Sequence, residues 1–282
     1  MAHSSHVCPH CGALNSADET RCYRCGQAFP GPLARGAVDL YHSVLGRELQ
    51  LTKLFVGLCV LVFALTTLDA HKFQIFGGYA RSTELRFGAL IAPLGRVEPW
   101  RYLSACFFHF GLLHLGLNMW ALWDLGRALE ARLGSSRFCI IFVVTGFVGF
   151  AASGFWYSMQ PISPATGGAS GGLFGLIGAL VGYLYAKRDP VWKQFLGRVV
   201  IYTVIFSLAM PVNNIAHAVG GISGAPLGYL FYKEARPWRR AKLLGWVAAG
   251  LVVASLASVV LAQRSPYWKM VRRQEIKLGM QY

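Results

Sequence analysis

Seven long apolar stretches, separated by short polar or charged segments, fill the chain from residue 51 onward. They run from about Leu51 to Leu68, Leu103 to Leu125, Phe138 to Tyr157, Ser170 to Tyr185, Phe195 to Met210, Ile215 to Tyr232 and Leu243 to Leu261. Several reach the roughly 17–25 residues that a helix needs to cross a bilayer. They lack the alternation of apolar and polar residues that barrel strands would show, and backbone groups cannot stay unpaired in lipid. The pattern therefore predicts an all-α polytopic membrane protein.

Composition and charge sharpen this interpretation. Of the 282 residues, 55% are hydrophobic and only 14% are charged, whereas soluble domains carry about 25% charged residues. The formal net charge of +15 would fit a nucleic-acid-binding protein, but there is no dense basic run. The basic residues gather at the ends of the apolar segments, where they set membrane orientation. We therefore predict contact with the lipid bilayer and no nucleic-acid partner.

The connecting segments predict the orientation. Basic residues follow the second, fourth and sixth segments, whereas the loops at 158–169 and 211–214 contain no Lys or Arg. The positive-inside rule then places the N-terminus in the cytoplasm of a multi-pass protein of the inner or plasma membrane. The first outer loop and the outer tail, with five Lys and Arg residues each, fit the rule less well.

Four cysteines at the N-terminus form a CxxC-x10-CxxC pattern. They are Cys8, Cys11, Cys22 and Cys25. Four thiolates at this spacing suit a tetrahedral Zn²⁺ ion, and disulfides are disfavoured in a reducing cytoplasm. We predict a structural zinc ribbon at residues 1–30, a linker at 31–50, and a cytoplasmic partner of the ribbon that the sequence does not identify.

Polar residues in the apolar segments are the candidate functional groups. Ser170 begins the fourth segment, where free backbone N–H groups favour an oxyanion. His217 lies in the sixth segment, and glycine stripes on both segments would let the two helices pack closely. The alternatives are an N-cap serine and a packing histidine. The fourth and sixth segments contain no acidic residue, so a Ser-His dyad fits better than a triad.

The second segment adds another polar group. His114 and Asn118 are four residues apart and share one helix face, from which both side chains can donate to a carbonyl oxygen. The alternative is a polar pair that holds helices together. His109, nearer the outer end, is expected at the surface.

Together these residues resemble the rhomboid family of intramembrane serine proteases. The resemblance is carried by four motifs in the family's order: Trp100-Arg101, His114-x-x-x-Asn118, Gly168-Ala169-Ser170-Gly171, and Ala216-His217-x-x-Gly220-x-x-x-Gly224. It implies a six-helix catalytic core at 51–233 with a water-filled, outward-open site. Residues 234–282 then form an added seventh transmembrane helix and a basic tail.

The resemblance also implies roles for individual residues. Ser170 would be the nucleophile and His217 the general base, while His114, Asn118 and the Ser170 backbone N–H would form the oxyanion hole. Phe174 stands where the family often has a tyrosine that stacks on the catalytic imidazole. No cofactor is implied for catalysis. The expected function is a serine endopeptidase that cleaves transmembrane segments near the extracytoplasmic face, and the alternative is a non-catalytic membrane scaffold that binds transmembrane helices.

Overall fold

The computed structural model of the chain describes residues 6–8, 13–16, 19–29, 50–209, 212–234 and 237–279. It divides into two compact units, Met1–Leu49 and Gln50–Tyr282. This division falls at the end of the predicted linker, but Cys11 and residues 30–49 lie outside the described residues.

The N-terminal unit is small and is built on turns. Strand β1 (His6–Val7) pairs antiparallel with β2 (Leu14–Asn15), and a second, isolated bridge joins Arg21 to Ala28. The segment between Arg21 and Ala28 contains Cys22 and Cys25, and the backbone N–H of Cys22 donates to the carbonyl of Gln27 at 2.8 Å.

The second unit, which begins at Gln50, is built from α-helices. Its helices are α1 (Leu51–Asp69), α2 (Arg81–Arg86), α3 (Ala92–Val97), α4 (Arg101–Ser104), α5 (Leu112–Ala121), α6 (Arg127–Leu133), α7 (Ser135–Ser158), α8 (Ser170–Ala186), α9 (Val191–Ala209), α10 (Asn214–Lys233), α11 (Pro237–Arg264) and α12 (Pro266–Lys277). A π-helical turn, Leu122–Gly126, connects α5 to α6. The prediction of an all-α polytopic protein is therefore confirmed.

Three stretches of the described chain are long and apolar enough to cross a membrane, judged by length and composition: Leu51–Asp69, Ser135–Ser158 and Arg240–Lys277. The helix Ser170–Ala186 is also apolar but shorter. The predicted fifth and sixth segments coincide with α9 and α10.

The second predicted segment was wrong at its start. A helix from Leu103 was expected, but α4 ends at Ser104 and the next helix begins at Leu112. Phe107 and Phe108 in the intervening loop are completely buried, so this loop is as apolar as a membrane helix and hydropathy cannot distinguish the two. The helix then continues beyond the predicted end at Leu125, through the π turn, to Gly134, whose φ of +84° ends it.

Helix α1 is fixed at its first turn by a carboxylate from a distant helix. The Glu130 side chain accepts hydrogen bonds from the backbone N–H of Leu51 at 2.6 Å and of Thr52 at 3.1 Å, and from the Thr52 hydroxyl at 2.6 Å. A negative charge at a helix N-terminus satisfies N–H groups that have no partner inside the helix. This contact ties the start of α1 to α6.

Helices α8 and α10 pack so closely that their backbones touch along the glycine stripes. A Cβ atom on Gly220 would overlap the carbonyl oxygen of Gly171, and one on Gly224 would overlap that of Gly175. Only glycine permits this approach. The packing fixes the first turns of the two helices side by side.

Candidate active site

Ser170 and His217 are brought together by the α8–α10 contact. Ser170 is the first residue of α8, and its Oγ lies 2.8 Å from Nε2 of His217. The His217 side chain is mostly buried, and its Nδ1 has no hydrogen-bond partner within the described part of the chain. A serine hydroxyl bonded to an imidazole, with no carboxylate behind it, is the arrangement of a Ser-His dyad.

Phe174 lies one turn below Ser170 and covers one face of the imidazole. The ring centroids of Phe174 and His217 are 4.3 Å apart and the ring planes differ by 10°. The stacking holds the orientation of the His217 ring, whose own Nδ1 contributes no anchoring bond. A phenylalanine performs this packing as a tyrosine would, without a hydroxyl that could bond to a neighbour.

Gly168 gives the loop before Ser170 its sharp turn. Its φ is +132°, and an added Cβ would lie 2.8 Å from Nε2 of His114. The His114 ring therefore lies against the backbone immediately before the serine. Its partner in the predicted pair, Asn118, is buried and donates one amide N–H to the carbonyl of His114 at 2.8 Å. The second N–H of that amide remains for another acceptor.

The prediction for His109 was wrong. The sequence placed it at the surface, but its side chain is completely buried. The backbone N–H of Ala169 donates to its Nε2 at 3.3 Å, and its Nδ1 lies 3.3 Å from the carbonyl of Phe107. An Nε2 that accepts requires the proton on Nδ1, which then donates to Phe107. His109 thus binds the residue directly before Ser170, a role that no motif in the sequence indicated.

Trp100 and Arg101 are part of the loop structure and do not contact Ser170 in the described residues. Arg101 is completely buried and forms an ion pair with Glu98 at 2.5 Å. Its Nη1 also donates to the carbonyls of Leu85 at 2.8 Å and Ala89 at 3.0 Å. The residue therefore holds the loop between α1 and α5 in its fold.

Three of the four N-terminal cysteines meet at one point. The sulfur atoms of Cys8, Cys22 and Cys25 all lie within 4.8 Å of one another, and those of Cys8 and Cys25 are 3.7 Å apart. Sulfur ligands of a tetrahedral zinc, at about 2.3 Å from the metal, are about 3.8 Å apart. The three thiols therefore fit three corners of a zinc site, and the fourth predicted ligand, Cys11, lies outside the described residues.

Known proteins with similar sequences share the part of the chain that holds this site. Residues 96–234 match the rhomboid domain family. The rhomboid protease GluP of Bacillus subtilis is 34% identical over 178 residues, which are 61% of this chain and 33% of GluP. The rhomboid protease GlpG of Klebsiella pneumoniae is 32% identical over 152 residues, 49% of this chain and 50% of that protein.

A further GlpG, from Salmonella choleraesuis, is 33% identical over 158 residues, 51% of this chain and 52% of that protein. The chain thus spans between a third and about half of the length of these curated relatives. Rhomboid proteins are integral multi-pass membrane proteins, in agreement with the apolar helices. Residues 96–234 of this chain therefore match a rhomboid domain, the domain that these proteases share.

Proposed function

We propose that this protein is an intramembrane serine endopeptidase with a Ser170–His217 dyad. The observation that carries the proposal is the 2.8 Å hydrogen bond between Ser170 Oγ and His217 Nε2 at the start of α8. The relatives with the same domain are called proteases. A nucleophile in contact with a base, at a helix N-terminus, is the arrangement that acyl transfer requires.

In the proposed reaction, Ser170 Oγ attacks the carbonyl carbon of the scissile peptide while His217 Nε2 takes the hydroxyl proton. The tetrahedral intermediate collapses as His217 returns that proton to the leaving amine, which leaves an acyl group on Ser170. Water then attacks the ester, again with His217 as base, and the proton passes back to Ser170 Oγ. The chemistry requires no cofactor.

The negative oxygen of the intermediate needs donors on the side opposite His217. The backbone N–H of Ser170 lies in the first turn of α8, where no intrahelical acceptor exists. We assign it to the oxyanion hole together with His114 and the second amide N–H of Asn118. Loss of one such donor costs on the order of 10²–10³ in kcat, and Asn118→Ala should show a loss of this size.

The basic residues after the second, fourth and sixth segments support a cytoplasmic N-terminus. In that orientation the first turns of α8 and α10 lie near the extracytoplasmic face, and transmembrane substrates would be cut there. A substrate helix must unwind locally before it can present a carbonyl. Gly and Pro near the cut lower that cost, and the glycine-lined surroundings of Ser170 favour a small residue before the scissile bond.

Fluorophosphonate labelling of the purified protein tests the proposal directly. Ser170 should be the labelled residue, and Ser170→Ala should lose both labelling and cleavage of a model transmembrane substrate. Ser223→Ala is the matched control, because within the described residues that hydroxyl bonds only to the carbonyl of Gly220 in its own helix, at 3.0 Å. Absence of labelling in the wild-type protein would favour the non-catalytic scaffold, since a scaffold has no need of an activated serine.

A further inference from the structure

The terminal helix α12 lies outside the rhomboid domain but packs on the first outer loop. Its Arg272 donates to the carboxylate of Asp69, the last residue of α1, at 2.6 Å. The same guanidinium donates to the hydroxyls of Ser82 at 3.3 Å and Thr83 at 3.2 Å in α2. One side chain of α12 thus joins the end of α1 to the loop helix.

A tryptophan and a second arginine hold this junction in place. Arg86 of α2 is also paired with Asp69. The indole ring of Trp268 lies 4.8 Å from the Arg86 guanidinium and 5.0 Å from that of Arg272. Its Nε1 donates to the carbonyl of Gln263 at 3.0 Å, which anchors the ring to the end of α11. Cation–π contacts of this kind fix the direction of both guanidinium groups.

The buried carboxylate of Glu275 completes the contact by capping α2. It accepts the backbone N–H of Ser82 at 3.3 Å, in the first turn of a helix whose own N-cap, Ala80, offers no side-chain bond. The start of α2 is therefore held by α12.

The segment that follows α2 leads to the loop that carries Ser170. Leu90 and Thr166 exchange backbone hydrogen bonds at 2.9 and 2.8 Å, four residues before the serine. The N–H of Gly168 donates to the carbonyl of Ala105 at 2.8 Å. Residues 166–169 are therefore held on one side by the first outer loop and on the other by the segment after α4.

We propose that Arg272 is a positioning residue for the reaction, and that α12 is part of the catalytic unit. By fixing α2 against Asp69, Arg272 holds the first outer loop in the position in which Leu90 aligns residues 166–169, and so sets the position of Ser170 relative to His217. The inference rests on the proposed function. It assigns a role in catalysis to a segment beyond the rhomboid domain.

The test compares two neighbouring arginines in the full-length protein. Arg272→Met and Arg273→Met remove the same charge from the same helix, but the Arg273 side chain is exposed and forms no ion pair or hydrogen bond in the described residues. Both proteins are studied in detergent at least 15 °C below their melting temperatures. The measurements are kcat and KM for a model transmembrane substrate and the rate of fluorophosphonate labelling at Ser170.

Misplacement of reacting groups by a distant change lowers the rate of the chemical step. Arg272→Met should lower kcat and the labelling rate together by about tenfold, with KM changed less than twofold, while Arg273→Met stays within twofold of wild type. Arg272→Lys keeps the charge beside Asp69 but lacks the planar fork that also reaches Ser82 and Thr83. It should give an intermediate loss, and it replaces Arg272→Met if that variant does not fold.

A lower melting temperature with unchanged kcat and labelling rate would show that Arg272 serves stability alone, and would overturn the inference. A change confined to KM would overturn it as well. In either case a wild-type protein that is labelled at Ser170 and cleaves its substrate leaves the proposed function standing. A wild-type protein without labelling or cleavage would overturn both.

Discussion

At the scale of single residues, Gly168 shows how one missing side chain shapes the site. Its positive φ lets the chain turn into α8, and the space where a Cβ would lie is occupied by the His114 ring. Two separate costs would follow from a side chain at this position. One is backbone strain of about 1–3 kcal/mol, and the other is displacement of His114 from the surroundings of Ser170.

The two costs can be separated by comparing Gly168→Ala with Gly134→Ala. Gly134 also has a positive φ, +84°, but nothing lies within 4 Å of its added Cβ. Both variants should lower the melting temperature, whereas only Gly168→Ala should lower kcat, by on the order of tenfold or more. Steady-state kinetics with a model transmembrane substrate give the answer. Equal kcat values in the two variants would mean that His114 takes no part in the reaction.

Glu84 in the first outer loop provides a test of stability against pH. Its side chain is buried, and burial raises the pKa of the carboxyl from 4.5 to about 7, with Glu275 adding to the shift and Arg81 opposing it. The folded protein therefore favours the protonated form. This stabilisation is complete below pH 4.5 and is lost as the pH rises to about 7, and at about 1.4 kcal/mol per pKa unit it amounts to about 3 kcal/mol.

The melting temperature of the wild-type protein should consequently fall between pH 5 and pH 8. In Glu84→Gln, whose side chain cannot ionise, this part of the fall should be absent. Asp189→Asn is the control, since that half-buried loop carboxylate pairs with Lys187 at 3.4 Å and accepts the backbone N–H of Val191 at 3.2 Å, and its replacement should leave the fall between pH 5 and pH 8 in place. If the melting temperatures of the wild type and Glu84→Gln changed with pH in parallel, the raised pKa of Glu84 would be contradicted.

Sequence could predict some residues of the candidate site and not others, for a chemical reason. Ser170 and His217 stand out because a hydroxyl and an imidazole in apolar helices indicate chemistry. His109 does not, because its contact is to a backbone N–H, and any residue type can supply that N–H. Arg272 lies in a basic tail whose sequence resembles an ordinary polar terminus. Only the fold shows that Asp69, 203 positions earlier in the sequence, lies beside it.

At the scale of helices, the packing of α8 on α10 decides whether the site forms. The sequence predicted this contact from two stripes of glycine, because small residues at helical spacing permit close approach. The start of α5 could not be predicted in the same way. The loop from Ala105 to Gly111 is buried in the protein, so its apolar residues continue the hydropathy of the helix that follows.

Two adjacent glycines of α10 test the packing. A Cβ on Gly220 would overlap the Gly171 carbonyl, whereas on Gly221 the nearest atom, the Phe174 carbonyl oxygen, would be 3.7 Å away. Gly→Ala favours the helix by about 1 kcal/mol at either position. The difference in unfolding free energy between the two variants therefore measures the cost of the overlap between the added Cβ and the Gly171 carbonyl. Gly220→Ala should be less stable than Gly221→Ala by about 1–3 kcal/mol, and it should separate Ser170 from His217. Thermal unfolding and fluorophosphonate labelling measure the two effects, and equal stability of the variants would exclude tight backbone contact.

At the scale of the whole molecule, basic residues of the first loop and the tail are paired with acidic residues. The basic residues of the first loop and the tail fit the positive-inside rule poorly, yet Arg86 and Arg272 share the carboxylate of Asp69. A basic residue held by an acidic one contributes little to orientation. Because α12 packs on α2, the tail and the first loop lie on the same side of the membrane. The chain must therefore cross the membrane an even number of times between them.

The same scale raises the question of whether the two compact units depend on each other. Cys8, Cys22 and Cys25 converge in the N-terminal unit, and among its described residues Cys8, Ala13 and Cys22 form an apolar cluster with Phe29 beside them. A metal bound by these thiols would contribute its binding free energy to the folding of the unit. The purified full-length protein should therefore contain about one zinc per chain. Cys8→Ala should lose it, whereas Cys59→Ala, which alters a buried cysteine of α1, should keep it.

Removal of the zinc should leave the chemistry intact. The groups assigned to the reaction all lie in the unit that begins at Gln50. A protein that begins at Gln50 should contain no zinc and should cleave a model transmembrane substrate with a kcat within about threefold of the full-length value, since no group of the reaction has been moved. Metal analysis and steady-state kinetics on the same two preparations provide the comparison. If the shorter protein folds, binds fluorophosphonate at Ser170 and still fails to cleave, the zinc-binding unit delivers the substrate to the site; if it is neither labelled nor active, the N-terminal unit is needed to form the dyad itself.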